Sequence, residues 1–129
     1  MNEIDYIMSL ISWDRDIVDQ KKGIEKAKEV ENINVFLQPR NRGFDKNVWD
    51  NCALILADRT DEELSPYLFE LLSWLQDMNW PGAYCILNRL NKIGDKTALN
   101  RAYIIAEKLA KVLDDNVWCD NLSMVNRNS

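Results

Sequence analysis

SPYLFELLSWLQDMNWPGAYCILNRLNKI, residues 65–93, decides the fold. Ser65 followed by Pro66 reads as an N-cap and a proline at the first helical position. Leu68, Leu71, Leu72 and Leu75 then fall at i, i+3, i+4 and i+7, the spacing of one buried helical stripe. Trp80-Pro81 stops that helix and opens another, whose Ala83, Ile86, Leu87, Leu90 and Ile93 face inward. Helices joined by so short a link pack as antiparallel neighbours. Leu72, Leu75, Ile86 and Leu90 should share one core.

Downstream, Gly94 suits a left-handed C′ position and Asp95 caps the next helix, Lys96 to about Leu113. That helix carries two apolar faces (Ala98, Ala102, Ile105, Leu109, Val112; and Leu99, Tyr103, Ala106, Ala110, Leu113), so a central place is expected. Asp114 or Asp115 starts a last helix through about Val125, burying Val117, Trp118, Leu122 and Val125. Upstream, Asp45 caps Lys46 to Ala57, with Val48, Trp49, Cys52, Ile55 and Leu56 inside. Residues 32–44 hold Pro39, Gly43 and three Asn, a connection anchored by Val35, Phe36 and Leu37.

The first helix reads as Glu3 to about Trp13, with Ile4, Ile7, Met8 and Ile11 on one face. Asp14 caps a second through Glu29, on sparse apolar residues (Ile17, Ile24, Ala27, Val30). Gly23 weakens its middle by about 1 kcal/mol relative to Ala. No segment alternates with a period of two. Helix starts near 46, 66, 81, 96 and 116 are about 15 to 20 residues apart, and two such spacings make roughly the length of a HEAT-type repeat, although no residue-level repeat is visible. The expectation is an all-α single domain, 1–129, of stacked antiparallel hairpins in a HEAT-like α–α superhelix. Residues 1–44 form its N-terminal helical cap and 45–126 its hairpin core.

Sixteen bases against 21 acids leave a net charge of −5. That argues against direct nucleic-acid binding or an anionic-membrane surface, which need a basic footprint. The lysines Lys21, Lys22, Lys26 and Lys28 alternate with Glu25, Glu29 and Glu31, the pattern of a salt-bridged solvent face. No histidine is present, so no Ser-His-Asp triad, Cys-His dyad or HExxH zinc site can be built from this chain alone. Cys52, Cys85 and Cys119 form no CxxC, and buried thiols are expected. Phosphate-cradling glycine loops are absent. Neither a metal nor a cofactor is expected, and an enzyme is disfavoured. The start of the chain lacks a basic signal-like region, and the longest apolar run is Cys52–Ala57. A cytosolic location is expected.

One stretch suggests an interaction surface. From Thr60 to Asn88 the acids Asp61, Glu62, Glu63, Glu70 and Asp77 occur without a base. On the helix opened by Pro66, Tyr67, Glu70, Trp74 and Asp77 fall at i, i+3, i+7 and i+10, beside the leucine stripe. Aromatics can anchor an interface while carboxylates steer a basic partner. The plainer reading is architectural: Trp74 and Trp80 seal a helical corner, and Asp77 and Asn79 satisfy orphan backbone groups there.

Leu71–Ala83, LLSWLQDMNWPGA, resembles the signature LLxWLQDxNWPxA of a bacterial family of small all-helical domains of unknown function with HEAT-like hairpins. Trp49-Asp50-Asn51-Cys52-Ala53, Asp61-Glu62-Glu63-Leu64, Pro66-Tyr67-Leu68 and Asn88-Arg89-Leu90 extend the likeness over roughly residues 45–93. Members of such families often look like immunity proteins, which bind and neutralise a toxin made by the same cell. The resemblance supplies no catalytic residues. It implies a cytosolic protein-binding domain, an immunity protein whose carboxylates occupy the cationic groove of a toxin such as a nuclease. A HEAT-like scaffold or adaptor is the alternative, and an uncharacterised enzyme comes third.

Overall fold

A computed structural model describes residues 2–41 and 43–128, apart from the side chain of Arg40. The described residues form helices and no strand. The α-helices are α1 (Glu3–Leu10), α2 (Ile17–Ala27), α3 (Gln38–Asn41), α4 (Trp49–Ala57), α5 (Asp61–Leu64), α6 (Leu68–Ser73), α7 (Ala83–Leu90), α8 (Lys96–Val112) and α9 (Asn116–Leu122). Single 3₁₀ turns at Ile33–Phe36, Lys46–Val48, Ser65–Tyr67 and Trp74–Gln76 join or extend them. Among the described residues no helix is long and apolar enough to cross a membrane.

Burial follows the apolar stripes. Leu68, Leu71, Leu72, Leu75, Ile86 and Leu90 share one continuous core, as do Val48, Trp49, Cys52, Ile55 and Leu56. The N-terminal residues Ile7, Met8, Ile11, Phe36 and Leu37 belong to that same core. In space α4 lies beside α7 and α6 beside α8, while α9 folds back onto α8 and the turn at Trp74–Gln76. The Trp118 indole fixes that return by donating to the Leu72 carbonyl at 3.1 Å, and the Asn121 amide to that of Leu75 at 2.7 Å.

Three helices run in one direction. Gln20 of α2 accepts from Asn51 near the start of α4, and the Ala27 carbonyl at the end of α2 meets Arg59 just past the end of α4. Gly82 abuts Trp49 at the start of α4, and Arg89 reaches the Ala57 carbonyl at its end. The C-termini of α2, α4 and α7 therefore share one edge of the molecule.

Several local expectations are corrected. α1 stops at Leu10, and Asp16, not Asp14, caps α2 by accepting from the Asp19 amide; Asp14 instead takes the Ser12 hydroxyl. Ile17 is exposed, and so is Val117. Gly23 is no weak point: a Cβ there would stand 2.5 Å from Ile11 Cγ2 and 2.9 Å from Leu10 Cβ, so its bareness lets α2 close on α1. Asp45 makes no capping hydrogen bond, because the chain enters α4 through a 3₁₀ turn.

Ser65 is not an N-cap either. Thr60 and Glu63 form a reciprocal capping box that starts the helix five residues earlier. Pro66 then lies inside the run, where the 3₁₀ turn accommodates its missing N–H. At the next corner the N-cap is Gly82, one residue past Pro81, with φ +87°. Gly82 is the left-handed glycine and Gly94 is not, its N–H being held by Asp61 at 2.9 Å. Asp115 caps α9, while Asp114 takes the left-handed turn at φ +56°. Finally, α8 buries one face fully, while on the other Ala98, Ala102 and Leu109 pack only partly against the core. Leu99, Tyr103, Ala106 and Ala110 are inside, whereas Ile105 is 58% and Val112 81% exposed.

Candidate functional site

The acidic run does not form one exposed face. Trp74 is fully buried, its indole donating to the Pro81 carbonyl at 3.0 Å and its ring edge-on to Trp49 at 6.2 Å between centroids. It cannot touch a partner directly, so the expectation of an exposed aromatic anchor there is corrected. Trp74 follows Leu71 by three residues, so it shares the buried side of the leucine stripe. Tyr67, Glu70 and Asp77 are half-buried. Asp77 closes its own turn by accepting from the Asn79 amide at 2.8 Å. Among the described residues Glu70 and the exposed Glu62 make no hydrogen bond or ion pair.

The other two acids are engaged by arginines that sequence reasoning missed. Arg59 and Arg89 are the residues that bracket the base-free run, and both fold back onto it. Asp61 meets Arg89 at 2.6 Å, and Glu63 meets Arg59 at 2.8 Å. Each guanidinium is nearly buried and also serves a helix end. Arg59 donates to the carbonyls of Ala27 and Val30 at 2.8 Å each, and Arg89 to those of Ala57 at 3.0 Å and Arg59 at 2.9 Å. Lys96 does the same for α7, reaching the Asn91 carbonyl at 3.3 Å. Three parallel helices thus present the negative ends of their dipoles at one edge, and a cation sits on each.

Protonation follows from these contacts. The Gly94 N–H and then Arg89 hold the Asp61 carboxyl below its usual range. Arg59, followed by the Thr60 N–H, does the same for Glu63. Burial pushes the Cys52 thiol up, and burial with the nearby Asp50 charge raises that of Cys85. Neither thiol is poised as a thiolate nucleophile at neutral pH. Among the described residues no cluster of three or more Cys, Asp or Glu could hold a metal ion.

A surface not foreseen in the sequence adjoins this edge. Leu54 on α4 is 51% exposed and Tyr84 on α7 62%. The two helices flank an open groove of about 510 Å³ lined by Ala57, Asp61, Cys85, Asn88, Arg89 and Lys92. Leu54 lies inside the apolar run Cys52–Ala57 but outside the buried side, Val48, Trp49, Cys52, Ile55 and Leu56, that the sequence indicates. On the helical wheel it stands nearly opposite Cys52 and about 100° from Ile55.

Fold and surface together define an all-α domain that exposes Leu54 and Tyr84 beside an open groove. The chain belongs to the family described as DUF5071, a domain of unknown function, whose model matches residues 44–127. No curated protein and no solved structure matches it.

Proposed function

We propose that this is a cytosolic protein-binding domain without catalysis of its own, an immunity protein that neutralises a basic toxin by covering its active groove. The observation that carries the reading is that Leu54 and Tyr84 stand exposed on adjacent parallel helices flanking an open groove, with the exposed Asp58 and Glu62 next in sequence to its lining residues Ala57 and Asp61. Specific interfaces bury about 800 Å² per partner around a few apolar or aromatic anchors. Acids at the rim set orientation and association rate with a basic partner.

A HEAT-like scaffold is favoured by a different observation. α4 pairs with α7 and α6 with α8, and the open face of α8 offers Ile105, Val112 and Leu113 for continued stacking.

Co-purification from the native host at low salt, followed by growth assays with the captured protein expressed alone and together with this chain, tests the proposal. The expected result is a basic protein that is toxic alone and harmless in the pair. Raising salt from roughly 0.05 to 0.5 M should slow association more than it speeds dissociation. Capture of a non-toxic assembly component instead would establish the scaffold reading.

A further inference from the structure

α8 carries a surface opposite in charge to the molecule as a whole. Within Lys96–Val112 four bases, Lys96, Arg101, Lys108 and Lys111, stand against one acid, Glu107, in a chain of net charge −5. Every residue of this helix is described. Leu99, Tyr103, Ala106 and Ala110 set its buried side. At about 100° per residue, the opposite side is centred on Arg101, Lys108 and Val112, with Ile104 and Ile105 about 50° to either side. All five are exposed. Glu107 points about 110° away from that centre and pairs with Lys111 at 3.6 Å. Arg101 and Lys108 make no hydrogen bond or ion pair among the described residues.

The order along this face is specific. Arg101, Ile105, Lys108 and Val112 follow one another at steps of four, three and four, the spacing of a seam along which one helix packs on another. Bases and aliphatics alternate in it, so the two bases, like the two aliphatics, are about 10.5 Å apart along the axis. α6 and α9 pack on α8, yet this side stays open. Arg127 and Asn128 return to the start of the helix, beside Thr97 and Asn100, where Arg127 donates to the Asn100 side chain at 3.0 Å. The same face of a second copy would meet Arg101 and Lys108 with like charge. A lipid surface calls for a wide apolar stripe, and Asp114 and Asp115 at the end of α8 would be repelled by anionic headgroups.

We infer that this face docks an acidic amphipathic helix of a second protein, with Asp or Glu beside Arg101 and Lys108 and aliphatic side chains against Ile105 and Val112. The matching helix alternates apolar and acidic residues at steps of three and four. Bases within the seam exclude a basic or purely apolar helix, and the aliphatics between them exclude a uniformly charged one. The inference goes beyond the toxin-neutralisation reading. Leu54 and Tyr84 stand on α4 and α7, and the partner proposed there is basic. One chain would thereby join two proteins of opposite charge.

The test uses the full chain and three helical peptides of about 21 residues, or three heptads, titrated while backbone amide NMR shifts are followed. One alternates Leu and Glu at steps of three and four, one has Lys in place of Glu, and one has Ser in place of Leu. Saturable shifts over Arg101–Val112 are expected with the Leu–Glu peptide, and binding about tenfold weaker with the other two. Arg101→Glu/Lys108→Glu should retain its melting temperature, lose about tenfold for the Leu–Glu peptide and gain as much for the Leu–Lys peptide, a swap that unfolding cannot mimic. The milder pair Arg101→Gln/Lys108→Gln should show the loss without the gain. Absence of saturable binding, equal binding of the Leu–Lys peptide, or shifts centred on Leu54 and Tyr84 would overturn the assignment. So would concentration-dependent shifts of α8 without peptide, which would make the occupant a second copy. Vesicles of phosphatidylcholine with about a quarter phosphatidylserine should leave α8 unshifted, and binding to them through the same residues would assign the face to a membrane instead. Growth protection decides the toxin-neutralisation reading independently of all these results.

Discussion

Arg89 grips Asp61 at 2.6 Å across 28 residues of sequence, and the same guanidinium holds the carbonyl end of α4. With Arg59 on the end of α2, it closes the edge where three parallel helices terminate. What reads in the sequence as an uncompensated acidic run is, at its beginning, a latch.

Removing Arg89 should be expensive. Arg89→Ala leaves the Ala57 and Arg59 carbonyls without this donor and the Asp61 carboxylate with only the Gly94 N–H, and hydrogen bonds to charged groups contribute about 1.5–3 kcal/mol each at most. Because Asp61 is partly solvated, a loss of about 2–3 kcal/mol is expected in urea denaturation. Arg89→Lys should recover under half of it, since an ammonium lacks the planar fork that serves all three acceptors. A loss below about 0.5 kcal/mol for the alanine variant would mean that the latch does not hold the edge.

The same contacts set the acid limb of stability. Asp61 and Glu63 have folded pKa values below their ordinary 3.8 and 4.5. Stabilisation from a depressed carboxylate is fully present above the unfolded value and is lost as pH falls through the folded one. Stability should therefore be flat near neutrality and decline below about pH 4.5. The double variant Asp61→Asn/Glu63→Gln should be less stable than the parent at pH 7 and show a shallower decline. Urea titrations at pH 7 and at about pH 3 compare the two.

Helix existence and the core were legible because the leucine stripe of Leu68–Leu75 and the stripe of Ala83–Ile93 each match one helical face. Boundaries were less so. Thr60 and Glu63 form a capping box whose spacing is present in the sequence, but Ser65-Pro66 offered a competing start. The site was obscured for a different reason: Trp74 lies three residues past Leu71 and belongs to the leucine face as much as to the acidic stripe. Partners such as Arg59 and Ala27 are distant in sequence and leave no local signal.

Glycines give a graded test of the packing. Gly82→Ala meets both a left-handed backbone and a Cβ 2.6 Å from that of Ala53, and should cost about 2–4 kcal/mol. Gly23→Ala keeps an ordinary helical backbone but presses on Ile11 and Leu10, for about 1–3 kcal/mol. Gly43→Ala has nothing within 4 Å and should change stability by less than about 0.5 kcal/mol. Thermal or urea melts that failed to rank them in this order would contradict the α1–α2 and α4–α7 contacts.

α8 separates the sequence reading from the structure most sharply. Two apolar faces imply two buried faces, and hence similar costs for trimming either. In the structure, Leu99 is fully buried while Ile105 and Val112 stand in solvent. Leu99→Ala should cost about 2–5 kcal/mol, as deletion of a buried leucine side chain does. Val112→Lys should stay within about 0.5 kcal/mol of the parent, since it removes no packing and lysine favours helix more than valine. Ile105→Lys should behave in the same way. If both lysine variants instead lost several kcal/mol in the isolated chain, the outer face of α8 would have to be covered. Equilibrium sedimentation of the parent would then show self-association, and dilution would lower its melting temperature.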